Sequence, residues 1–250
     1  MDSCCNPGLA PTAPLDFILL LTTGFTVSLG HCVGMCGPIV SAFGLARRPE
    51  ERSLKRRLPP LLRYNTGRVA SYIAIGAMFA LVGSAARFMG TTRLLQAVLS
   101  IAAGAIMLPL ALGLTGLLPT ARWVEGGGVG LRATRWIRGL IRAEGWTGQF
   151  GLGLANGFLP CGPVIAVALS AAASSRISDG AISMGVYGLG TIPAMTALGL
   201  GAGWLSPKAR AAIYKVGGAL VIAIALQLIL RGLAAVDLVP HLRFGEVVIW

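Results

Sequence analysis

Charge is scarce in this chain of 250 residues: 12% of them are Asp, Glu, Lys or Arg, where a soluble domain carries about 25%. Acid is scarcer still, with nine Asp and Glu in all. Aromatics make up 7%, no G-X-Y period occurs and no long Glu/Lys heptad pattern appears, so collagen and coiled coil are excluded. GxxxxGK, CxxCH, HExxH and CxxC are all missing. Their absence leaves no P-loop for nucleotide-driven transport, no covalent haem, no zincin site and no thioredoxin-type motif.

What is present is apolar. Hydrophobic residues make up 55%, with 35 Gly, and the mean hydropathy is +0.75, a composition of membrane proteins and not of disordered chains. Six stretches without Asp, Glu, Lys or Arg run over 17–46, 69–86, 94–121, 145–175, 180–207 and 216–230. About 20 apolar residues cross a bilayer as a helix, so the expected fold is all-α and polytopic, with six transmembrane helices. The last stretch is short and borrows length from flanking residues by snorkelling. Asp16 sits at the outer edge of the first stretch, and no carboxylate lies within any of them, which disfavours an intramembrane carboxylate relay. The segment 1–14 has no basic region before the first apolar run and is expected to be retained.

The formal charge of +12 invites a nucleic-acid partner, but the basic residues fall between the apolar stretches. Sixteen of the 21 lie in 47–68, 122–142 and 208–215, and five lie at the opposite ends of the spans. The positive-inside rule then places both termini outside, and the anionic inner leaflet explains the charge, so no nucleic acid is expected. The expected organisation is an outer N-terminal tail (1–14), a three-helix half (15–118), a cytoplasmic basic linker (119–146), a second three-helix half (147–235) and an outer C-terminal tail (236–250).

The halves share a motif. Cys36-Gly37-Pro38 in the first stretch matches Cys161-Gly162-Pro163 in the fourth, 125 residues later. Three spans separate the copies, so they enter the membrane from opposite sides as inverted repeats. Gly37, Pro38, Pro160, Gly162 and Pro163 are expected to break the first and fourth helices and to serve as gates. Pro38 and Pro163 would restart each helix, with the glycines at the cap and the cysteines just before it. Paired in this way, Cys36 and Cys161 are candidate redox-active thiols; packing in Gly-rich interfaces is the plainer alternative. His31, Cys32 and Met35 add an imidazole and soft sulfur ligands suited to copper(I), with packing again the alternative. Arg68 is expected at the inner end of the second span, and Asn65, Gln149, Asn156, Tyr187 and Thr191 as polar residues of the interior. Cys4 and Cys5 are adjacent in the outer tail.

The strings Gly30-His31-Cys32-Val33-Gly34-Met35-Cys36-Gly37-Pro38, Tyr64-Asn65-Thr66-Gly67-Arg68 with Ser71-Tyr72, Asn156-Gly157-Phe158-Leu159-Pro160-Cys161-Gly162-Pro163 and Gly188-Leu189-Gly190-Thr191-Ile192-Pro193-Ala194 together resemble the cytochrome c biogenesis transmembrane family of CcdA and DsbD. Its members are also labelled sulfite exporter TauE/SafE-like or urease accessory UreH-like. The resemblance implies a carrier in the bacterial inner membrane that uses one Cys per half, here Cys36 and Cys161. It would pass reducing equivalents from cytoplasmic thioredoxin to a periplasmic thiol protein for cytochrome or oxidase maturation, with no required cofactor. Without a soluble domain or CxxC, this chain needs a separate acceptor. The alternatives are a transporter of a small anion such as sulfite or of a soft metal ion (copper or nickel), and a non-transporting partner of respiratory oxidase assembly factors.

Overall fold

The computed structural model describes residues 14–45, 54–88, 92–115, 139, 145–159, 161–174, 176–201, 204, 206–236, 243–244 and 247–248. Cys4, Cys5, Pro160 and nearly all of the expected linker and tails lie outside that set. Helix α1 (Pro14–Val27) runs through a π-helical turn (Ser28–Cys32) into α2 (Val33–Leu45). Then come α3 (Leu54–Phe88), α4 (Thr92–Thr115), α5 (Trp146–Gly157), α6 (Gly162–Ala172), α7 (Ile177–Gly201) and α8 (Pro207–Ala235). A two-residue ladder, β1 (Arg243–Phe244) against β2 (Val247–Val248), follows.

Four segments are long and apolar enough to cross a membrane: 17–44, 55–85, 177–201 and 207–235. The pair α5 and α6, bent by 77°, makes a fifth candidate. This is a multi-pass membrane protein with four to five candidate spans among the described residues, against six expected. The difference is α4, whose apolar part, Ala97–Gly113, falls short.

Two expectations need correction. The first helix is not broken at Gly37-Pro38: Pro38 lies inside α2 and the segment 17–44 is one span. Pro38 removes an amide and crowds the carbonyl of residue 34. Residue 34 is a glycine whose Cα faces Gly217, at a spot where a Cβ would come within 2.3 Å, so the weakened turn packs closely against a neighbouring helix. The irregularity lies earlier, in the π turn, a form often found at functional sites. The second correction concerns α3, which begins at Leu54 and not near Val69. At 1.5 Å per residue it is about 50 Å long, and Arg63 and Arg68 are inside it, not at its end.

Glycines set the helix contacts. α1 crosses α7, where a Cβ on Gly24 would meet Tyr187 O at 2.4 Å and one on Gly190 would meet Leu21 O at 2.2 Å. α5 crosses α3 in the same way: a Cβ on Gly153 would meet Tyr64 O at 1.9 Å and one on Gly67 would meet Phe150 O at 2.2 Å. Such close backbone approach is the usual source of helix association in lipid, where hydrophobicity gives no drive. α3 also packs on α7, and α4 on α8. Leucines and isoleucines such as Leu19, Leu81 and Leu94 remain exposed, as a lipid-facing surface requires.

Candidate functional site

The site is built on one stripe of α3. Tyr64, Arg68 and Tyr72 stand four residues apart, on one helix face, and each is 3% exposed or less. Arg68 is the only Arg, Lys, Asp or Glu buried among the described residues. Its Nη2 donates to Tyr72 Oη at 2.8 Å and to Cys32 Sγ at 3.9 Å, and its carbon Cζ lies 5.6 Å from the Tyr72 ring centre. Its Nε and Nη1 have no partner among the described residues. A guanidinium withdrawn from water without an anion is costly.

Three free thiols surround it. Cys32 ends the π turn, Cys36 lies one turn further along α2, and Cys161 is the N-cap of α6; all three are buried. Cys36 is within electrostatic reach of Arg68 and Cys32, and within hydrogen-bonding reach of the Asn156 side chain. Cys161 is within reach of both other thiols and of Arg68, and faces the Val164 amide, though without the geometry of a formed cap bond. The sequence expectation placed Cys161 one residue before the cap; it is the cap residue itself, in extended conformation, with Pro163 in the first turn where its missing amide is not needed. Cys36 and Cys161 thus both lie within electrostatic reach of Arg68, although only the second copy begins a helix.

The remaining expected residues divide. Asn156 Nδ2 donates to Tyr64 Oη, which ties α5 to α3, and Asn156 belongs to the centre. His31 is buried in the π turn with both ring nitrogens unpartnered among the described residues. Tyr187 stacks obliquely on Tyr72, ring centres 6.1 Å apart, with its hydroxyl unpartnered among the described residues. Asn65 bonds Leu61 O at 2.9 Å and Thr196 Oγ1 at 3.2 Å, tying α3 to α7. Gln149 accepts from Arg63 at 3.5 Å. Thr191 only returns its hydroxyl to Gly188 O at 2.8 Å. Met35 is part of the apolar core. Gly37 presses on Tyr214, and a Cβ on Gly162 would meet Ile224 at 2.3 Å. Among the described residues no three His, Cys, Asp or Glu side chains are grouped as a metal site.

Tyr64 and Tyr72 were missed as site residues by sequence reasoning, although their four-residue spacing from Arg68 carries the signal. Arg68 was placed at a membrane edge because a charge was taken to bound a span.

Buried thiols around a buried cation, on helices long and apolar enough to cross a bilayer, define the class: a polytopic membrane protein with a polar, sulfur-rich centre. The profile of the family described as cytochrome C biogenesis protein transmembrane region matches residues 19–227, and the chain belongs to that family. No curated protein and no solved structure matches it.

Proposed function

We propose that this protein is a membrane thiol-disulfide carrier of the CcdA/DsbD type, in which Cys36 and Cys161 alternate between two thiols and one disulfide. The observation that carries this reading is that both Cys-Gly-Pro cysteines are buried, with the Cys161 thiol within electrostatic reach of Cys36 and both within reach of Arg68. In one half-cycle a donor dithiol such as that of cytoplasmic thioredoxin gives two electrons and two protons to the disulfide and becomes a disulfide itself. In the other, the Cys36 and Cys161 thiols reduce a disulfide of a periplasmic protein, and their own bond reforms.

The halves serve this cycle as inverted repeats, each admitting one face of the membrane. Their crossings support the assignment: Leu21, Gly24 and Phe25 meet Gly190 or Tyr187 as Phe150, Gly153 and Leu154 meet Gly67 or Tyr64, and both partner helices read Tyr-x-x-Gly. The charge distribution supports an orientation with both termini periplasmic, in a bacterial inner membrane. Cys36 and Cys161 should be protected from alkylation after oxidation and labelled after reduction, seen as a mobility shift. Two thiols that react independently under every condition would refute the carrier.

The unpartnered Nε and Nη1 of Arg68 favour one second reading, a path for a small anion such as sulfite. Uptake of labelled sulfite by proteoliposomes, unaffected by Cys36→Ser, is its signature.

A further inference from the structure

Resting on the carrier reading, we propose that Cys32 is a third redox-active thiol, which exchanges with the Cys36–Cys161 disulfide and moves it wholly into the first half while Arg68 compensates the displaced charge. The two-cysteine cycle leaves Cys32 without a task. Yet Cys32 is 2% exposed, in a continuous helix one turn before Cys36, and its sulfur lies 3.9 Å from the Nη2 of Arg68, a residue 1% exposed. Arg68 has two further nitrogens without partners among the described residues, and no Asp or Glu is buried among those residues. Apart from the phenols of Tyr64 and Tyr72, the second of which Arg68 already binds, the groups this centre can supply as anions beside Arg68 are thiols.

The two halves place Cys32 by a difference in length. From Gly24 to Cys36 is 12 positions, whereas from its packing counterpart Gly153 to Cys161 is eight. The first half is four residues longer over this stretch, which includes the π turn, and four positions before its motif cysteine it carries a sulfur where the second half has Gly157. In a helix, residues four apart have Cα atoms about 6 Å from each other, inside the roughly 4.4–6.8 Å that a disulfide spans. Their Cβ atoms are about 5–6 Å apart where the bond needs roughly 3.5–4.5 Å, so the Cys32–Cys36 bond requires the turn that joins them to give locally.

The exchange balances without an external oxidant. The Cys32 thiolate attacks the Cys36 sulfur, the Cys32–Cys36 bond forms, and the Cys36–Cys161 bond breaks. The electron pair leaves on the Cys161 sulfur as a thiolate. One thiolate and one disulfide stand on each side, and no proton is taken up. Arg68, within reach of Cys32, Cys36 and Cys161 alike, meets the charge in both states. The consequence is mechanical: a disulfide between Cys36 and Cys161 ties α2 to α6, whereas one between Cys32 and Cys36 leaves the two halves free to part while the oxidising equivalent is kept.

The test uses the full chain in proteoliposomes, reduced thioredoxin as donor, and mapping of disulfide-linked peptides after diamide oxidation. Wild type should yield both Cys36–Cys161 and Cys32–Cys36 peptides. Cys32→Ala should still form Cys36–Cys161, which shows that it folds, yet oxidise thioredoxin at least tenfold more slowly. Arg68→Gln should slow oxidation as far, Arg68→Lys should restore most of the rate, and adding Arg68→Gln to Cys32→Ala should cost little more. A wild-type rate in Cys32→Ala, or no Cys32–Cys36 peptide from wild type, overturns the exchange and leaves the carrier intact if Cys36–Cys161 is found. If wild type yields no Cys36–Cys161 peptide, the carrier reading itself falls.

Discussion

The same three residues, Cys-Gly-Pro, end one helix break and sit within an unbroken helix. In the second half Cys161 caps α6, and the chain bends by 77° between α5 and α6. In the first, Cys36-Gly37-Pro38 lies inside α2, and the strain appears upstream as a π turn. The difference teaches that a proline does not dictate a break; it removes one hydrogen bond, and the neighbouring packing decides how the loss is absorbed. Gly34 against Gly217 braces the first copy. Ahead of the second copy, Phe158 and Leu159 already leave the helix.

The largest expected effect strikes both halves alike. If each contributes one half of a redox pair, Cys36→Ser and Cys161→Ser should each reduce thioredoxin oxidation by about 100-fold or more, since neither variant can form the Cys36–Cys161 disulfide that joins the halves. A variant that keeps most of the wild-type rate would show that the two copies do not work as a pair.

Packing comes next, and here the halves are predicted to differ in degree. A Cβ on Gly153 would meet the carbonyl of Tyr64 at 1.9 Å, one on Gly24 the carbonyl of Tyr187 at 2.4 Å, and one on Gly30 nothing within 4 Å. Gly153→Ala should destabilise by about 3 kcal/mol and Gly24→Ala by about 2 kcal/mol, in the range of core overpacking. Gly30→Ala should cost nothing. Thermal unfolding in detergent ranks the three; a loss in Gly30→Ala equal to that in Gly153→Ala would contradict the crossings.

Much of this was legible in the sequence, and the failures have a common cause. Apolar stretches pointed to four to five of the six expected spans, and the 125-residue motif repeat drew attention to Cys36 and Cys161, both of which are buried. Charge, however, was read as a boundary. Arg68 has a long side chain that α3 turns inward onto Tyr72, and no linear pattern of hydropathy distinguishes an inward arginine from one at the membrane edge. The spacing of Tyr64, Arg68 and Tyr72 held that information as a face, not as a composition. The π turn was hidden for a different reason: Ser28–Cys32 contains no breaker except Gly30.

A smaller effect separates two tyrosines that hold matching places. Tyr64 accepts from Asn156, whereas the Tyr187 hydroxyl is unpartnered among the described residues. Tyr64→Phe should therefore destabilise by about 1–2 kcal/mol, because it strands a buried amide. Tyr187→Phe should be neutral or slightly stabilising, since it removes a buried group that has no bond to lose. Equal losses in both, measured by thermal unfolding, would place a partner on Tyr187 and erase the asymmetry.

The smallest effect tests the central contrast most directly, because it turns on sign. Within α2, Pro38 withholds an amide that the carbonyl of residue 34 would otherwise accept; in a free helix interior such a proline costs about 3 kcal/mol. The brace at Gly34 and Gly217 recovers part of that. Pro38→Ala restores the donor and should raise stability by about 1 kcal/mol. Pro163 stands in the first turn of α6, where its amide would have no carbonyl to bond, and it restricts the unfolded chain. Pro163→Ala should lower stability by about 0.5 kcal/mol, the usual entropic loss at a compatible site. Were the first helix to restart at Pro38 as the second does beside Pro163, both substitutions would destabilise. Opposite signs in paired melting curves therefore require one copy in a helix interior and the other at a helix start.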